Sequence, residues 1–462
     1  MKQVFAYLQD QEQAYLAELF AFIRCAGISA TGKNMPQAAA MLSKMMQKSG
    51  VEHVCVLPTD GYPVVYGDIL RDPRLPTLLI YGHYDVQSAD DKELWKSDPF
   101  EPVIVGDRIY GRGAADNKAQ LFAQLKGGEA YRKVKGELPI NLKYIFEGEE
   151  EIGSPSLLNF AQNNRELLKS DVCIYSDGCY HDNGDPILVL GVKGSFYAEI
   201  TLQGVCKETH AMRAPCLPNP AWRMVELLRC LQNERGEILI DGFFDTVRPL
   251  LPLEAAAGDK IPVDVEGLKA GFGVQRLLGD LDGRDYYKRL IFQPAVNIAG
   301  IFGGYTGQGF RNIIPQNVTV RIDVSLVPEQ QPEDIYAKLR QHLDRCGFTD
   351  ATMRVVGGMF RPARTPVDNP YVDVARKAVY DGFGREPVVF PSVGGAAPNY
   401  VFIDHLGIPM IGIPYAGADQ NNHVPNENIL LSSFKNGLRT SAALIERMGE
   451  YAQASGTITT TL

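Results

Sequence analysis

Thr77-Leu78-Leu79-Ile80-Tyr81-Gly82-His83-Tyr84-Asp85-Val86 is the stretch on which the fold turns. Its first five residues make a short, unbroken apolar run, and Gly82 closes it. A strand with one wet face alternates apolar and polar residues, whereas a strand buried on both faces does not. The run therefore predicts a strand in a parallel or mixed sheet covered on both sides. The flanking sequence follows the same pattern. Downstream, a helix is expected over about 118–131, a second buried strand over 140–146, then another helix and a third strand over 171–176. Upstream, Val4, Leu8, Tyr15, Leu19, Phe22 and Ile23 recur near a helical period. Pro36 opens a further helix through Met41, Leu42, Met45 and Met46, and Gly50 ends it. Strands alternating with helices imply an α/β layer.

The pattern changes near Lys193-Gly194. Residues 195–205 alternate like a half-exposed strand, and a helix follows over 220–232. Periodicity is weak over 235–283. Val318-Thr319-Val320-Arg321-Ile322-Asp323-Val324 alternates cleanly, as an antiparallel strand with one wet face does. A helix fits 332–346 and a strand 351–356. From Pro366 the α/β character returns, with a helix near 370–382 and buried strands near 387–390 and 408–413. The expected organisation is one α/β domain built from 1–194 and 366–462, with an α+β domain, 195–365, inserted into it. The Thr-rich tail is expected to fray.

The chain has 462 residues, room for two or three domains at about 150 residues each. Apolar residues make up 45% and charged residues 22%, which excludes disordered, collagen-like and coiled-coil chains. With 46 Lys and Arg against 55 Asp and Glu, the net charge of -9 argues against a nucleic-acid surface. No apolar run reaches the ~18 residues of a membrane helix, so no membrane association is expected. The N-terminus has no apolar core of a signal peptide. None of the eight cysteines is spaced C-x-x-C. A thiolate zinc site is therefore not expected, and the cysteines read as reduced thiols of a cytoplasmic protein.

Five segments carry chemistry. They are Gly82-His83-Tyr84-Asp85-Val86, Gly111-Arg112-Gly113-Ala114-Ala115-Asp116-Asn117-Lys118, Glu147-Gly148-Glu149-Glu150-Glu151-Ile152-Gly153-Ser154, Tyr175-Ser176-Asp177-Gly178 and Asp419-Gln420-Asn421-Asn422-His423-Val424-Pro425-Asn426-Glu427. Each is commonplace alone. An acidic run is usually a solvated face, and an Asp after a strand is usually a helix cap. Together they put carboxylates at the expected carboxyl ends of strands, where α/β sheets carry their sites. Two of the chain's seven histidines join them. Carboxylates brought together repel and must be neutralised. A pair of divalent cations does so, and imidazole plus carboxylate without thiolate suits Zn²⁺, Mn²⁺ or Co²⁺.

In order and spacing, these segments resemble the M20 family of dinuclear metallopeptidases, which includes carnosine-type dipeptidases, aminoacylases and succinyl-diaminopimelate desuccinylases. The resemblance spans nearly the whole chain. It is strongest to the cytosolic carnosine-type dipeptidase branch, whose lid domain is matched by Arg235-Gly236-Glu237-Ile238-Leu239-Ile240, by Gly304-Tyr305-Thr306-Gly307 and by Ile313-Ile314-Pro315. It implies a metallopeptidase-type catalytic domain (a mixed, mainly parallel sheet flanked by helices) over 1–194 and 366–462. The insertion, 195–365, would be a lid and dimerisation domain.

It also implies roles. His83 and Asp177 would bind one metal, Glu151 and His423 the other, and Asp116 would bridge both. The metals would be two divalent ions per subunit, Zn²⁺ first, with Mn²⁺ or Co²⁺ as alternatives. The Asp116-Asn117 peptide would be cis. Asp85 would accept from the His83 ring and fix its tautomer. Adjacent glutamates point apart, so one of Glu150 and Glu151 can ligate while the other faces substrate. The residues alone leave open which does which; the resemblance makes Glu150 the general base. His210 would reach a neighbouring subunit's site and stabilise the oxyanion, making the active unit a homodimer. Asn312, Gly394 and Gly395 would contact substrate.

The implied reaction is hydrolysis of an amide bond in a small peptide by a metal-activated bridging water. The alternatives are an N-acyl-amino-acid deacylase or specialised amidase on the same fold, a zinc aminopeptidase of another fold, and a non-catalytic binding protein with a relic site. Retention of Glu150 argues against the last. The sequence departs from the dipeptidase pattern on the substrate side. Ser325 stands for an Arg, Val393 and Ala396 for the Glu and Ser of E-G-G-S-x-P, and Asn369 for a His. Glu208-Thr209-His210-Ala211-Met212 replaces D-L-H-S-G. Either another cation among Arg311, Arg321 and Arg361 holds the substrate carboxylate, or the substrate lacks one. The expectation is an active, dipeptidase-like amide hydrolase with an altered substrate, which need not be a dipeptide.

Overall fold

The apolar run at 77–81 becomes a strand because neither of its faces meets water. Leu78 and Ile80 point into one apolar cluster, while Leu79 and Tyr81 point into another on the opposite face. The structure is a computed structural model describing residues 1–89, 92–395 and 397–456. Ala396 and the Thr-rich tail from Thr457 lie outside the described residues.

The strand belongs to an eight-stranded sheet. In chain order its strands are β1 (Cys55–Leu57), β2 (Val64–Ile69), β3 (Thr77–His83), β4 (Asn141–Glu147), β5 (Val172–Tyr175), β6 (Ile187–Val189), β7 (Val388–Phe390) and β8 (Met410–Gly412). Across the sheet they run β7-β6-β8-β5-β3-β4-β2-β1. The central neighbours β4, β3, β5 and β8 are mutually parallel, as are β6 and β7. β1, β2 and the β6–β8 contact are antiparallel. The sheet is thus mixed and mainly parallel.

Six helices accompany it: α1 (Lys2–Asp10), α2 (Glu12–Arg24), α3 (Met35–Lys48), α4 (Lys118–Lys135), α5 (Pro370–Phe383) and α6 (Leu431–Ala454). Apolar residues of all six share one cluster with Leu142, Tyr144 and Phe146 of β4 and Val172 and Ile174 of β5. The opposite face of the sheet is covered by helix Leu157–Asn163 and by Val401 and Phe402. Helix α4 is buried along nearly all of its first fourteen residues, from Lys118 to Tyr131. Its Gly127 lies where a Cβ would stand 2.4 Å from Ser441 Cβ of α6. That glycine is what lets the two helices approach so closely.

The described chain divides into two compact units. One comprises Met1–Gly191, Arg364–Pro391 and Pro398–Leu462; the other comprises Val192–Ala363 with Ser392–Ala397. The expected breaks stood two or three residues later. The short segment carrying Gly394 and Gly395, expected in the first domain, groups with the second unit. There Lys193 N donates to Gly395 O at 3.0 Å, and Val192 bridges Val393.

The second unit is a four-stranded antiparallel sheet in the order Ala295–Gly303, Asn317–Leu326, Gly194–Gln203, Thr352–Phe360. Val318, Val320, Ile322 and Val324 face a cluster shared with helices Pro220–Leu231 and Pro332–Arg345. Helices Pro252–Gly258, Val265–Phe272 and Gly283–Phe292 occupy a stretch that shows weak periodicity in sequence. None of the residues of Val265–Phe272, a helix of only two turns, is buried. Strand Ala295–Gly303 was also unanticipated. It lies at the sheet edge with most of its residues exposed.

Candidate metal centre

The sheet delivers the acidic segments to one place. In the parallel register His83 stands opposite Glu147, and Tyr81 stands opposite Tyr175. β3 and β4 therefore end level and β5 ends two residues short of them, so the residues just past the strands (Asp85, Glu150 and Glu151, Asp177) emerge at one rim. β8 runs parallel to β5, so the loop carrying His423 leaves from the same rim.

Two expectations need correction. Asp116 does not follow a strand of this sheet. It stands between Arg108–Tyr110, a strand of a separate three-stranded sheet, and the start of α4. Nor does His423 lie past the last strand, because Asn428–Leu430 follows it and pairs with Arg108–Tyr110. The start of α4 is fastened to the rim by Asn117, whose Nδ2 donates to Ser176 O. The Asp116–Asn117 peptide is cis.

Two sets of donors result. His83 Nε2 lies 3.2 Å from Asp116 Oδ1, 3.4 Å from Asp177 Oδ2 and 3.9 Å from Glu150 Oε2. His423 Nε2 lies 2.9 Å from Asp116 Oδ2 and 3.0 Å from Glu151 Oε2. Each oxygen of Asp116 thus faces a different histidine. Ligands about 2.0–2.1 Å from one tetrahedral ion stand roughly 3.3 Å apart, close to these separations. His83 Nε2 is buried and has no hydrogen-bond partner among the described residues, although three carboxylates surround it. An orphaned imidazole nitrogen aimed into converging carboxylates fits a divalent cation. The donor set is imidazole and carboxylate, with no thiolate in it.

The ring of His83 is oriented from behind. Its Nδ1 lies 3.2 Å from both the carbonyl oxygen and Oδ1 of Asp85. Asp85 Oδ2 accepts from Glu151 N at 3.1 Å, and Gln87 Nε2 donates to Glu151 Oε2 at 2.9 Å. His423 has a left-handed backbone, φ 61°, in a loop where Asn421 and Asn426 are also left-handed. Lys96 N donates to Asn426 Oδ1 at 2.8 Å and helps hold this loop.

The electrostatics follow from the crowding. Burial opposes protonation of His83, but Asp116, Asp177 and Asp85 hold its pKa well above the usual histidine range. Asp116 and Glu151 raise His423 to about 10. Burial pushes Glu150 well above the ordinary carboxyl range; His83 pulls it down, while Asp177, Glu151 and Asp116 push it further up. Burial and the charge of Asp116 raise Glu151.

The glutamate run separates into tasks. Glu147 turns away from the rim, accepting from Tyr81 Oη at 2.6 Å and Ser154 Oγ at 2.9 Å. Glu149 accepts the amides of Tyr62 and Ser156, both at 3.2 Å. Glu150 and Glu151 alone of the four enter the donor cluster. One participant went unrecognised in the sequence. Glu427 is fully buried, and its Oε1 accepts from the amides of Gly113 (3.0 Å), Ala115 (2.8 Å) and Asp116 (2.9 Å). Its Oε2 accepts from Arg112 Nη1 at 2.7 Å. The loop of His423 is thereby tied to the loop of Asp116. The only sequence signal was an acidic residue four positions beyond His423.

The remaining candidates, apart from Asn369 in the first unit, lie in the second unit. Thr209–His210 pairs with Ile313–Ile314, and Ala211 N donates to Asn312 O at 2.9 Å, so His210 and Asn312 are neighbours. His210 Nδ1 accepts from Met212 N at 3.1 Å, which leaves the proton of a neutral ring on Nε2. Of the three candidate cations, Arg321 is engaged by Glu199 and Arg361 by Glu333. Arg311 stacks over Tyr305 at 4.5 Å and has no carboxylate partner among the described residues. Asn369 caps α5, its Oδ1 accepting from Tyr371 N at 3.0 Å.

A sequence profile of peptidase family M20/M25/M40 matches residues 79–447. The Beta-Ala-His dipeptidase of Rattus norvegicus is 28% identical over 395 residues, covering 84% of this chain and 80% of that protein. Cys-Gly metallodipeptidase DUG1 of Candida albicans is 29% identical over 398 residues, covering 84% of this chain and 82% of its own. Among solved structures, the M20 family metallo-carboxypeptidase Sso-CP2 from Sulfolobus solfataricus superposes with a TM-score of 0.88 at 34% identity, covering 94% of this chain and 99% of that one.

Proposed function

This chain belongs to peptidase family M20/M25/M40, and on that footing we propose that it hydrolyses the peptide bond of a small substrate bearing a free carboxylate. The observation that carries the reading is Asp116, each of whose oxygens faces a separate imidazole. His83, Asp177 and Asp116 would hold one divalent cation, and His423, Glu151 and Asp116 the other. Zn²⁺ is the first choice for this donor set, and Mn²⁺ and Co²⁺ accept the same ligands. When bound, the two cations neutralise the carboxylates, polarise the scissile carbonyl and make water acidic enough to ionise near neutral pH.

The chain's own groups do the rest. Glu150 takes the proton of the attacking water and delivers it to the leaving nitrogen. Asp85 holds the His83 ring in one tautomer. His210, donating through Nε2, steadies the developing oxyanion in the site of a second copy. The edge strand Ala295–Gly303 supports that homodimer, since Ile298, Ile301 and Phe302 there are about half exposed, at 49%, 56% and 49%. Residues 192–363 would then act as lid and dimerisation domain. Gly394 and Gly395 would line the substrate path.

The named relatives are dipeptidases, and Sso-CP2 is a carboxypeptidase. Both kinds of substrate carry a free carboxylate beside the scissile bond. Arg311, uncommitted and next to Asn312, would bind it in place of the Arg replaced by Ser325. This favours a changed clamp over a substrate without a carboxylate. Neither the deacylase reading nor the relic-site reading gains support from these relatives. All eight cysteines are free thiols, which suits a reducing compartment such as the cytoplasm. No helix among the described residues is long and apolar enough to cross a membrane.

The test is a mass-spectrometric screen of metal-loaded protein against dipeptides, N-acyl amino acids and C-terminally amidated dipeptides. Cleavage of free dipeptides is expected. Glu150→Gln should lower turnover by about 10²–10⁴-fold while metal uptake persists. Turnover unchanged in that variant would remove the mechanism.

A further inference from the structure

The second unit gathers a different donor set. Cys230 lies in the last turn of helix Pro220–Leu231. His342 and Cys346 lie one turn apart at the end of helix Pro332–Arg345, with Cys346 as its C-cap. A ligand atom of each residue lies within 4.8 Å of the other two. No C-x-x-C spacing announces this cluster, because 112 residues separate Cys230 from His342.

We propose that Cys230, His342 and Cys346 form a second metal site, suited to a thiophilic divalent cation such as Zn²⁺. Three observations support it. First, Cys346 Sγ lies 3.6 Å from His342 Nε2. Sulfur and nitrogen ligands about 2.3 and 2.05 Å from one tetrahedral ion stand roughly 3.6 Å apart. Second, the imidazole is oriented from behind. His342 Nδ1 lies 3.2 Å from Asp241 Oδ2 and accepts from Asp241 N at 3.3 Å, and Arg345 holds that carboxylate at 2.7 Å. A carboxylate behind a histidine fixes the ring and strengthens its other nitrogen as a ligand. Third, access is graded. His342 is buried, Cys230 is half-buried and Cys346 is exposed, so an ion can enter and water can fill the fourth position.

In the metal-free arrangement the groups have local partners. His342 Nε2 is 2.8 Å from Cys230 O, and Cys230 Sγ donates to Leu227 O at 3.0 Å. Binding exchanges these contacts for the ion: the ring proton moves from Nε2 to Nδ1, where Asp241 Oδ2 can accept it, and each thiol releases its proton to solvent as it ligates. A disulfide between the two cysteines is the competing use of the same thiols. It leaves the carboxylate-oriented imidazole without a task.

Cobalt distinguishes this site from the carboxylate–imidazole centre, because only thiolate ligands give sulfur-to-cobalt charge-transfer absorption in the near ultraviolet. The full-length chain, reduced and stripped of metal, would be titrated with Co²⁺. The expected result is a sulfur-to-cobalt band whose final intensity corresponds to one thiolate-bound ion per chain, beyond the ions taken by the carboxylate–imidazole centre. Cys230→Ser and Cys346→Ser should each abolish the band without changing hydrolysis by protein loaded at the other centre. Asp241→Asn should weaken Co²⁺ binding here by about ten- to hundredfold. Absence of the band in fully reduced protein overturns the proposal. So does a band that survives in the double cysteine variant, or a Cys230–Cys346 disulfide in protein purified without reductant whose reduced form gives no band.

Discussion

Replacing Glu427 by Gln should weaken metal binding although Glu427 is no ligand. The carboxylate uses both oxygens: Oε1 takes three amides of the Asp116 loop, and Oε2 takes Arg112. A glutamine has one carbonyl. If it keeps the amides, its NH₂ faces the Arg112 guanidinium at a position now 2.7 Å away, donor against donor. If it turns to Arg112, its NH₂ meets three N–H groups. Arg112 is 2% exposed, and its other contacts are weak, Val424 O at 3.5 Å and the Trp95 ring at 5.2 Å. Burial pushes the Glu427 carboxyl up to about 7 although Arg112 pulls it down, so desolvation outweighs the attraction within the intact pair. Removing one side leaves the other buried without its partner, at a cost of about 3–5 kcal/mol. Because Glu427 joins the loops of Asp116 and His423, metal affinity should fall by about 10–100-fold, the range for residues that support ligands. That corresponds to about 1.4–2.7 kcal/mol. Urea unfolding of metal-free protein measures the first effect, and competition with a chromogenic chelator measures the second. The Arg112→Met/Glu427→Leu double variant should recover much of the stability but not the affinity. A folded Glu427→Gln protein with metal affinity within twofold of the parent would refute the reasoning.

Three further outcomes are expected. His423 has its pKa raised to about 10 in the metal-free centre, so metal binding near neutral pH should release its proton. Calorimetric titrations in two buffers of different ionisation enthalpy would register this release, and affinity should fall as pH falls. The sign for the metal-free fold is opposite. A raised histidine contributes stability that is full below its unfolded pKa of about 6.5 and is lost as pH rises through about 10. Gly127→Ala would place a Cβ 2.4 Å from Ser441 Cβ and 2.8 Å from Ala442 N, forcing α4 and α6 apart. A loss of about 1–3 kcal/mol in urea unfolding is expected, and an unchanged midpoint would contradict the close approach. Finally, if His210 acts in a second copy, mixing His210→Ala with Glu150→Gln protein and allowing subunit exchange should restore part of the activity that each lacks alone. No recovery in verified mixed dimers would place His210 outside catalysis.

What could be read from sequence depended on how local the cause was. β3 was legible because burial on both faces leaves an unbroken apolar run. His83, Asp116, Glu150, Glu151, Asp177 and His423 were legible as candidates because each lies within a few residues of a recognisable element. Glu427 was not, because its meaning lies in contact with amides 311 residues away, at Asp116. The glutamate run read as one acidic feature, yet the fold turns Glu147 and Glu149 into loop anchors. Asn369 read as a lost substrate group, and in the structure its side chain caps a helix. The helices between 252 and 292 were not legible because each is short and Gly- and Asp-rich connections separate them.

The position of β8 has a consequence for how the chain is made. It lies between β5 and β6, both of which belong to the first 191 residues, but is itself drawn from residues 410–412. A ribosome therefore exposes β5 and β6 long before the strand that joins them exists. About 200 further residues, at ~5–20 residues per second, take roughly ten to forty seconds. Through that interval the nascent sheet has an open seam at its middle, with unpaired backbone able to recruit a wrong strand. The same late segment brings His423, so the sheet and the donor set are completed in one event. Emergence of residues 410–423, not of the N-terminal half, becomes the moment at which the donor set can first assemble.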